Sequence, residues 1–246
     1  MSEKSIEKQK LSKGTKIAVP LVFLFLPLTV FLFAWLDANY YICSFLLILL
    51  AMIPFFAGFE KRKPQARELV TIAVMCTIAV ASRVAFIMFP NFKPMVGIIM
   101  IAGMSFGAEA GFLVGAVSGF VSNFIFGQGT WTPWQMFAFG IAGFLAGLFA
   151  GKGIIKSRER VVTAIFGALV VLLVVGPLLD TSTVLFMRDM ATAESVLTIY
   201  LSGLPVNAIH ALATALTLFF LCRPITEKLD RIKLKYGMLS EETNEI

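Results

Sequence analysis

Eight stretches of nearly unbroken apolar sequence, at residues 17–36, 40–58, 68–89, 95–108, 111–126, 134–151, 161–179 and 197–221, dominate this 246-residue chain. At about 1.5 Å of rise per helical residue, most of them are long enough to cross a hydrocarbon core of about 30 Å. Inside such a core a helix satisfies all its own backbone polar groups, which an open strand cannot do. With 58% hydrophobic and 15% charged residues, the chain also carries more apolar surface than a water-soluble core of its size can hide. The expected fold is therefore an all-α polytopic membrane protein with eight transmembrane helices. The fourth run is short, and Glu109 alone marks its separation from the fifth.

The basic residues orient these helices. They gather before the first run (Lys4, Lys8, Lys10, Lys13, Lys16), after the second (Lys61, Arg62, Lys63, Arg67), after the sixth (Lys152, Lys156, Arg158, Arg160) and after the eighth (Arg223, Lys228, Arg231, Lys233, Lys235). Threading eight helices alternately puts all four groups on one side, so the positive-inside rule predicts cytoplasmic N and C termini at the plasma membrane. The net charge of +6 is accounted for by topology and implies no nucleic-acid partner. The first run is a full span behind a long polar segment, so no cleaved signal peptide is expected. Four segments follow: a cytoplasmic N-terminal segment at 1–16, a transmembrane hairpin at 17–60, a six-helix bundle at 66–222 and a cytoplasmic tail at 223–246. The Lys61-Arg62-Lys63-Pro64 seam separates hairpin from bundle.

Chemistry concentrates in the link Gly127-Gln128-Gly129-Thr130-Trp131-Thr132-Pro133-Trp134-Gln135, which joins the fifth and sixth runs. Two of the three tryptophans stand there among amides and hydroxyls, the combination of stacking surface and fixed hydrogen-bonding groups that small-molecule sites use. Arg83 is the one cation inside a span, where it costs about 2.5–3.5 kcal/mol on insertion scales, and it is expected about 10 Å below the outer end of its helix with Asp180 as one possible counter-ion. Asn91 and Lys93, in the link after the third run, and Asn123, one turn before the Gly127 link, bring further polar groups to the same outer end. A third outer loop is expected from Asp180 to Glu194. Helix packing explains the glycines at 103, 107, 111, 115 and 119, which serve two helices on either side of a bend near Glu109. The ladder Ala73, Thr77, Ala81 and Ala85 suits either internal packing or a docking face for a partner helix.

A single histidine, His210, excludes a histidine-rich zinc site, and no phosphate-binding glycine loop with its Lys-Ser/Thr occurs. Carboxylates within spans, which ion-coupled carriers use as relays, are missing. Ser118 and His210 do not sit in the Gly-x-Ser-Gly pattern of intramembrane serine proteases. The chain is thus predicted to be a membrane binder that is no enzyme, needs no cofactor and has no engine of its own. A stand-alone channel or facilitator for a small solute is the alternative from another class, with Asn123, Asn207 and His210 as its few polar landmarks.

Arg83-Val84-Ala85-Phe86, Phe92-Lys93-Pro94, Gly107-Ala108-Glu109-Ala110-Gly111 and the run from Phe126 to Met136 resemble the substrate-binding S component of energy-coupling factor (ECF) vitamin transporters, over about residues 66–222. Within that superfamily the segments are most similar to the branch predicted to carry cobalamin or related corrinoids. Another vitamin or a queuine-like base is the alternative ligand. The resemblance implies a six-helix bundle with its ligand under the outer loops, a transmembrane scaffold subunit, and two ATPase subunits that supply the power. Carried over by position, Arg83, Asn91, Lys93, Asn123, Gln128, Trp131, Thr132, Trp134 and Gln135 bind substrate, while Ala73, Thr77 and Ala81 dock on the scaffold. Thr77 stands where the family pattern has alanine, and the N-terminal hairpin is additional to the usual six spans.

Overall fold

The computed structural model describes residues 40–61, 64–187 and 192–237, together with Lys16 and Pro20. Apart from Pro20, the expected helix at 17–36 lies outside the described residues. The other seven runs are all helical: α1 (Tyr40–Lys61), α2 (Ala66–Ala85), α3 (Met95–Phe106), α4 (Ala108–Phe126), α5 (Thr132–Gly151), α6 (Arg160–Phe186) and α7 (Ala193–Lys235). Five of them, α2 and α4 to α7, are long and apolar enough to cross a membrane, and α3 is a shorter apolar helix. The chain is therefore a multi-pass helical membrane protein.

α3 and α4 are separated by one residue. Gly107 adopts φ 92° and ψ 172°, a conformation open to glycine and strained for any residue with a Cβ. Its N–H still donates to the Gly103 carbonyl at 2.9 Å, and its own carbonyl accepts from Gly111 at 2.9 Å. The hairpin so formed packs on α5 through bare backbone. A Cβ on Gly143 of α5 would lie 2.2 Å from the Gly111 carbonyl oxygen, and one on Gly103 would lie 2.1 Å from that of Gly143. Close approach of this kind substitutes dispersion and weak C–H···O contacts for a hydrophobic drive that lipid does not supply. The break near Glu109 therefore exists, two residues earlier than the carboxylate that signalled it.

A second apolar cluster fastens α1 to the bundle. Phe55 stacks on Phe112 of α4 with ring centroids 4.0 Å apart and meets Phe144 of α5 edge-on at 5.1 Å. Ile48, Met52, Phe137, Ile141 and Trp134 complete this cluster.

Three boundaries differ from expectation. α2 ends at Ala85, four residues before Phe89, because the chain tightens into successive i→i+3 turns: Ile87 donates to Val84, Phe89 to Phe86 and Phe92 to Phe89. Arg83 consequently sits in the last turn of its helix rather than about 10 Å below its end. α6 continues through Thr181, Ser182 and Thr183 to Phe186 and α7 begins at Ala193, so the loop expected from Asp180 to Glu194 is helical at both of its ends; residues 188–191, Arg188 and Asp189 among them, lie outside the described residues. The three hydroxyls bond back to the carbonyls of Pro177 and Leu179, which lets them stay helical in an apolar setting. Ahead of Pro177, whose missing N–H and ring bulk disrupt the ladder, Val171–Val175 widen into a π-turn. α7 runs 43 residues through Pro205 and Pro224 to Lys235, about 65 Å and so longer than a bilayer core. The tail expected from Arg223 thus continues that helix for its first thirteen residues.

The two ends of the bundle are chemically distinct. At one end Arg67 of α2 donates to the Tyr236 carbonyl at 2.9 Å, and Lys233 of α7 donates to the Ser105 carbonyl at the end of α3. At the other end lie the links 86–94 and 127–131 and the start of α7, where Thr192 and Ser195 form a reciprocal cap. The first is called the basic end below and the second the loop end.

Candidate functional site

At the loop end a polar network joins α2, α4 and α5. Arg83, 5% exposed, donates through Nη1 to Ser122 Oγ and, at 2.9 Å, to Asn123 Oδ1. Asn123, 1% exposed, passes the connection on: its Nδ2 donates to Thr132 Oγ1 at 3.1 Å and to Gln135 Oε1 at 2.8 Å. Thr132 in turn donates to Gln128 Oε1 at 3.0 Å and accepts from the Gly129 N–H at 3.1 Å. Gln128 Nε2 closes the chain on the Phe120 carbonyl at 3.0 Å. Every member but Ser122 was a candidate from the sequence. The network ties the 127–131 link to two helices and fixes the position of each amide in it.

Two cations share one ring here. The Arg83 guanidinium carbon lies 4.2 Å from the Phe126 centroid and Lys93 Nζ lies 5.6 Å from it, both within cation–π range. Two like charges held against one ring repel each other. Burial, and then the Arg83 charge, hold the Lys93 ammonium below the usual lysine pKa. Asp180, one of the counter-ions considered for Arg83, accepts instead from Asn207 Nδ2 at 2.9 Å. Asn91 adopts φ 61°, a left-handed conformation that Asn tolerates better than most residues. It shapes the turn that presents Lys93.

The tryptophans divide. Trp131 caps the start of α5, is 45% exposed and lies over Gly129. Trp134 is 3% exposed and packs with the α1 cluster. Helical geometry explains the split: 134, 137, 141 and 144 lie on one stripe that faces α1, whereas 132, 135 and 139 form another, about 170° away, that faces Asn123 and His210. The structure therefore assembles Arg83, Asn123, Gln128, Thr132 and Gln135, sets Lys93 beside them, leaves Trp131 at the rim, and does not bring Trp134 to them. Ser122 and Phe126 were missed by the sequence reading. Their spacing from Asn123, one residue before and three after, was the available signal.

On α7, His210 meets the Phe139 ring edge-on at 6.3 Å. No described hydrogen bond joins it to Ser118. Among the described residues no three His, Cys, Asp or Glu side chains gather into a metal-holding group.

On the membrane-facing side, α2 and α4 border a groove of about 800 Å³, with Ala73, Thr77, Ala81 and Ala85 along one wall and Leu113, Val117 and Val121 along the other. The Thr77 hydroxyl bonds back to the Ala73 carbonyl at 3.0 Å, so the ladder presents an apolar surface at the one position that departs from alanine.

These features define a polytopic helical membrane protein with a preorganised polar site at one end and a small-residue face along its flank. The model of the ECF-type riboflavin transporter S component family matches residues 63–227, and the chain belongs to that family, one of transporter subunits rather than enzymes. Searches of curated proteins and of solved structures return no match.

Proposed function

We propose that this chain captures a ring-bearing vitamin at its loop end and hands it inward with an ATPase-driven ECF scaffold. The observation that carries the reading is the buried network joining Arg83, Asn123, Thr132 and Gln135 directly under the link that holds Gln128 and Trp131. Such fixed amides and one free indole suit a planar conjugated ligand, oriented by hydrogen bonds at its edge. A flavin is the first reading, supported by the description of the matching family and by the exposed indole of Trp131 at the rim. A corrinoid is the second, favoured by the amides of Asn123, Gln128 and Gln135, which match a ligand rich in amides.

Transport power comes from two partner ATPases through the scaffold, which docks on Ala73, Thr77 and Ala81 along the α2–α4 groove. The basic end faces the cytoplasm with both termini, by the positive-inside rule, and the loop end faces outward at the plasma membrane. Within the proposed hairpin, α1 braces the α4–α5 face through Phe55. Co-purification with scaffold and ATPases, followed by fluorescence titration with riboflavin and cobalamin, tests the reading. One vitamin bound per chain supports it, and a complex that binds neither sinks both ligand assignments.

A further inference from the structure

The nitrogen groups at the loop end keep hydrogen-bonding capacity that the protein does not use. Of the Arg83 guanidinium, Nη1 is engaged with Ser122 and Asn123, while Nε is buried without a partner among the described residues. His210 is 8% exposed, and its Nε2 is likewise buried without a partner. Lys93 Nζ approaches the same Phe126 ring as Arg83, and the Phe139 ring that meets His210 lies against Gly119, whose carbonyl accepts from Ser122, the partner of Arg83. Two helices and one link therefore direct nitrogen groups into one neighbourhood, and the nearby carboxylate, Asp180, is committed to Asn207. An orphaned buried donor costs free energy that a ligand acceptor recovers on binding. A cationic ligand would meet two like charges instead.

We propose that Arg83, Lys93 and His210 form an acceptor-reading end of the ligand site, which takes a negatively charged or carbonyl-paired group of the substrate and rejects cations. His210 thereby becomes a specificity residue, a role distinct from interior packing. The proposal rests on the loop end being the ligand site and adds which pole of the ligand points inward. It also explains why Arg83 stacks on Phe126: the ring holds the guanidinium plane while leaving its edge free.

The test uses the full chain in lipid nanodiscs, titrated with riboflavin, cobalamin, pantothenate, biotin and thiamine by tryptophan fluorescence. Thiamine, a cation, should not bind. For the vitamin that binds, Lys93→Met and His210→Leu should each weaken affinity tenfold or more, with monodisperse elution and unchanged scaffold association as the folding control. His210→Asn, which retains a donor, should recover part of the loss. Thiamine binding at comparable affinity would overturn the proposal, as would unchanged affinity in both folded variants. Failure of all five to bind a folded chain that still co-purifies with its scaffold would overturn it too. Loss of scaffold and ATPase association in the wild type would instead sink the proposed transport role.

Discussion

Asn123→Leu removes the hub of the loop-end network while nearly preserving side-chain volume. Three hydrogen bonds go with it, at 2.9, 3.1 and 2.8 Å to Arg83, Thr132 and Gln135. Side-chain hydrogen bonds within a bilayer average about 0.6 kcal/mol and reach about 1.7, so the three together contribute about 2 kcal/mol. Values from water-soluble proteins, with one bond charge-assisted, give about 4 kcal/mol. The lower figure applies here, because the unfolded chain in a membrane also finds partners. Ligand binding must then re-form the arrangement that Asn123 holds in advance, and at 1.4 kcal/mol per factor of ten this lowers affinity about 30-fold. Asn123→Asp keeps the acceptor for Arg83 and loses both donors, so it should fall between the wild type and Leu. The assay is fluorescence titration of the purified variant with the vitamin that the wild type binds. A folded Asn123→Leu protein whose affinity stays within about threefold of wild type would refute the idea that this network preorganises the site.

Other substitutions separate site, fold and docking. Trp131→Ala should weaken ligand binding and leave stability nearly unchanged, whereas Trp134→Ala opens a cavity in the α1 cluster and should cost about 3–5 kcal/mol; thermal unfolding in detergent distinguishes the two. Gly143→Val should abolish folding, since its Cβ would overlap the Gly111 carbonyl at 2.2 Å, while Gly151→Ala, with nothing within 4 Å, should be silent in expression and melting. Ala73→Trp and Thr77→Trp should prevent co-purification with the scaffold and spare vitamin affinity, because both residues face the groove and neither touches the network.

The helical content was legible because uninterrupted apolar runs and basic clusters repeat along the whole chain. Boundaries were harder to read where local chemistry hides the usual signals. Thr181, Ser182 and Thr183 look like loop residues, yet their hydroxyls satisfy themselves on the preceding turn. Pro90 looks like the end of a helix that has already stopped at Ala85. At the site, Asn123, Gln128, Thr132 and Gln135 were readable because they crowd one short segment. The bond from Arg83 to Asn123 spans 40 residues, and nothing local encodes it. Trp134, whose residue type suggested a ligand surface, packs in the α1 cluster, apart from the network. The stripe it shares with Phe137, Ile141 and Phe144 was visible at helical spacing and pointed to the core.

Titrating the purified full-length chain alone, without scaffold or ATPases, with riboflavin and with cobalamin by isothermal calorimetry tests the account most directly. Binding of one of them at one molecule per chain, with no ATP hydrolysed until the partner subunits are added, is the predicted result. A folded chain that binds neither vitamin, or that hydrolyses ATP unaided, would contradict it.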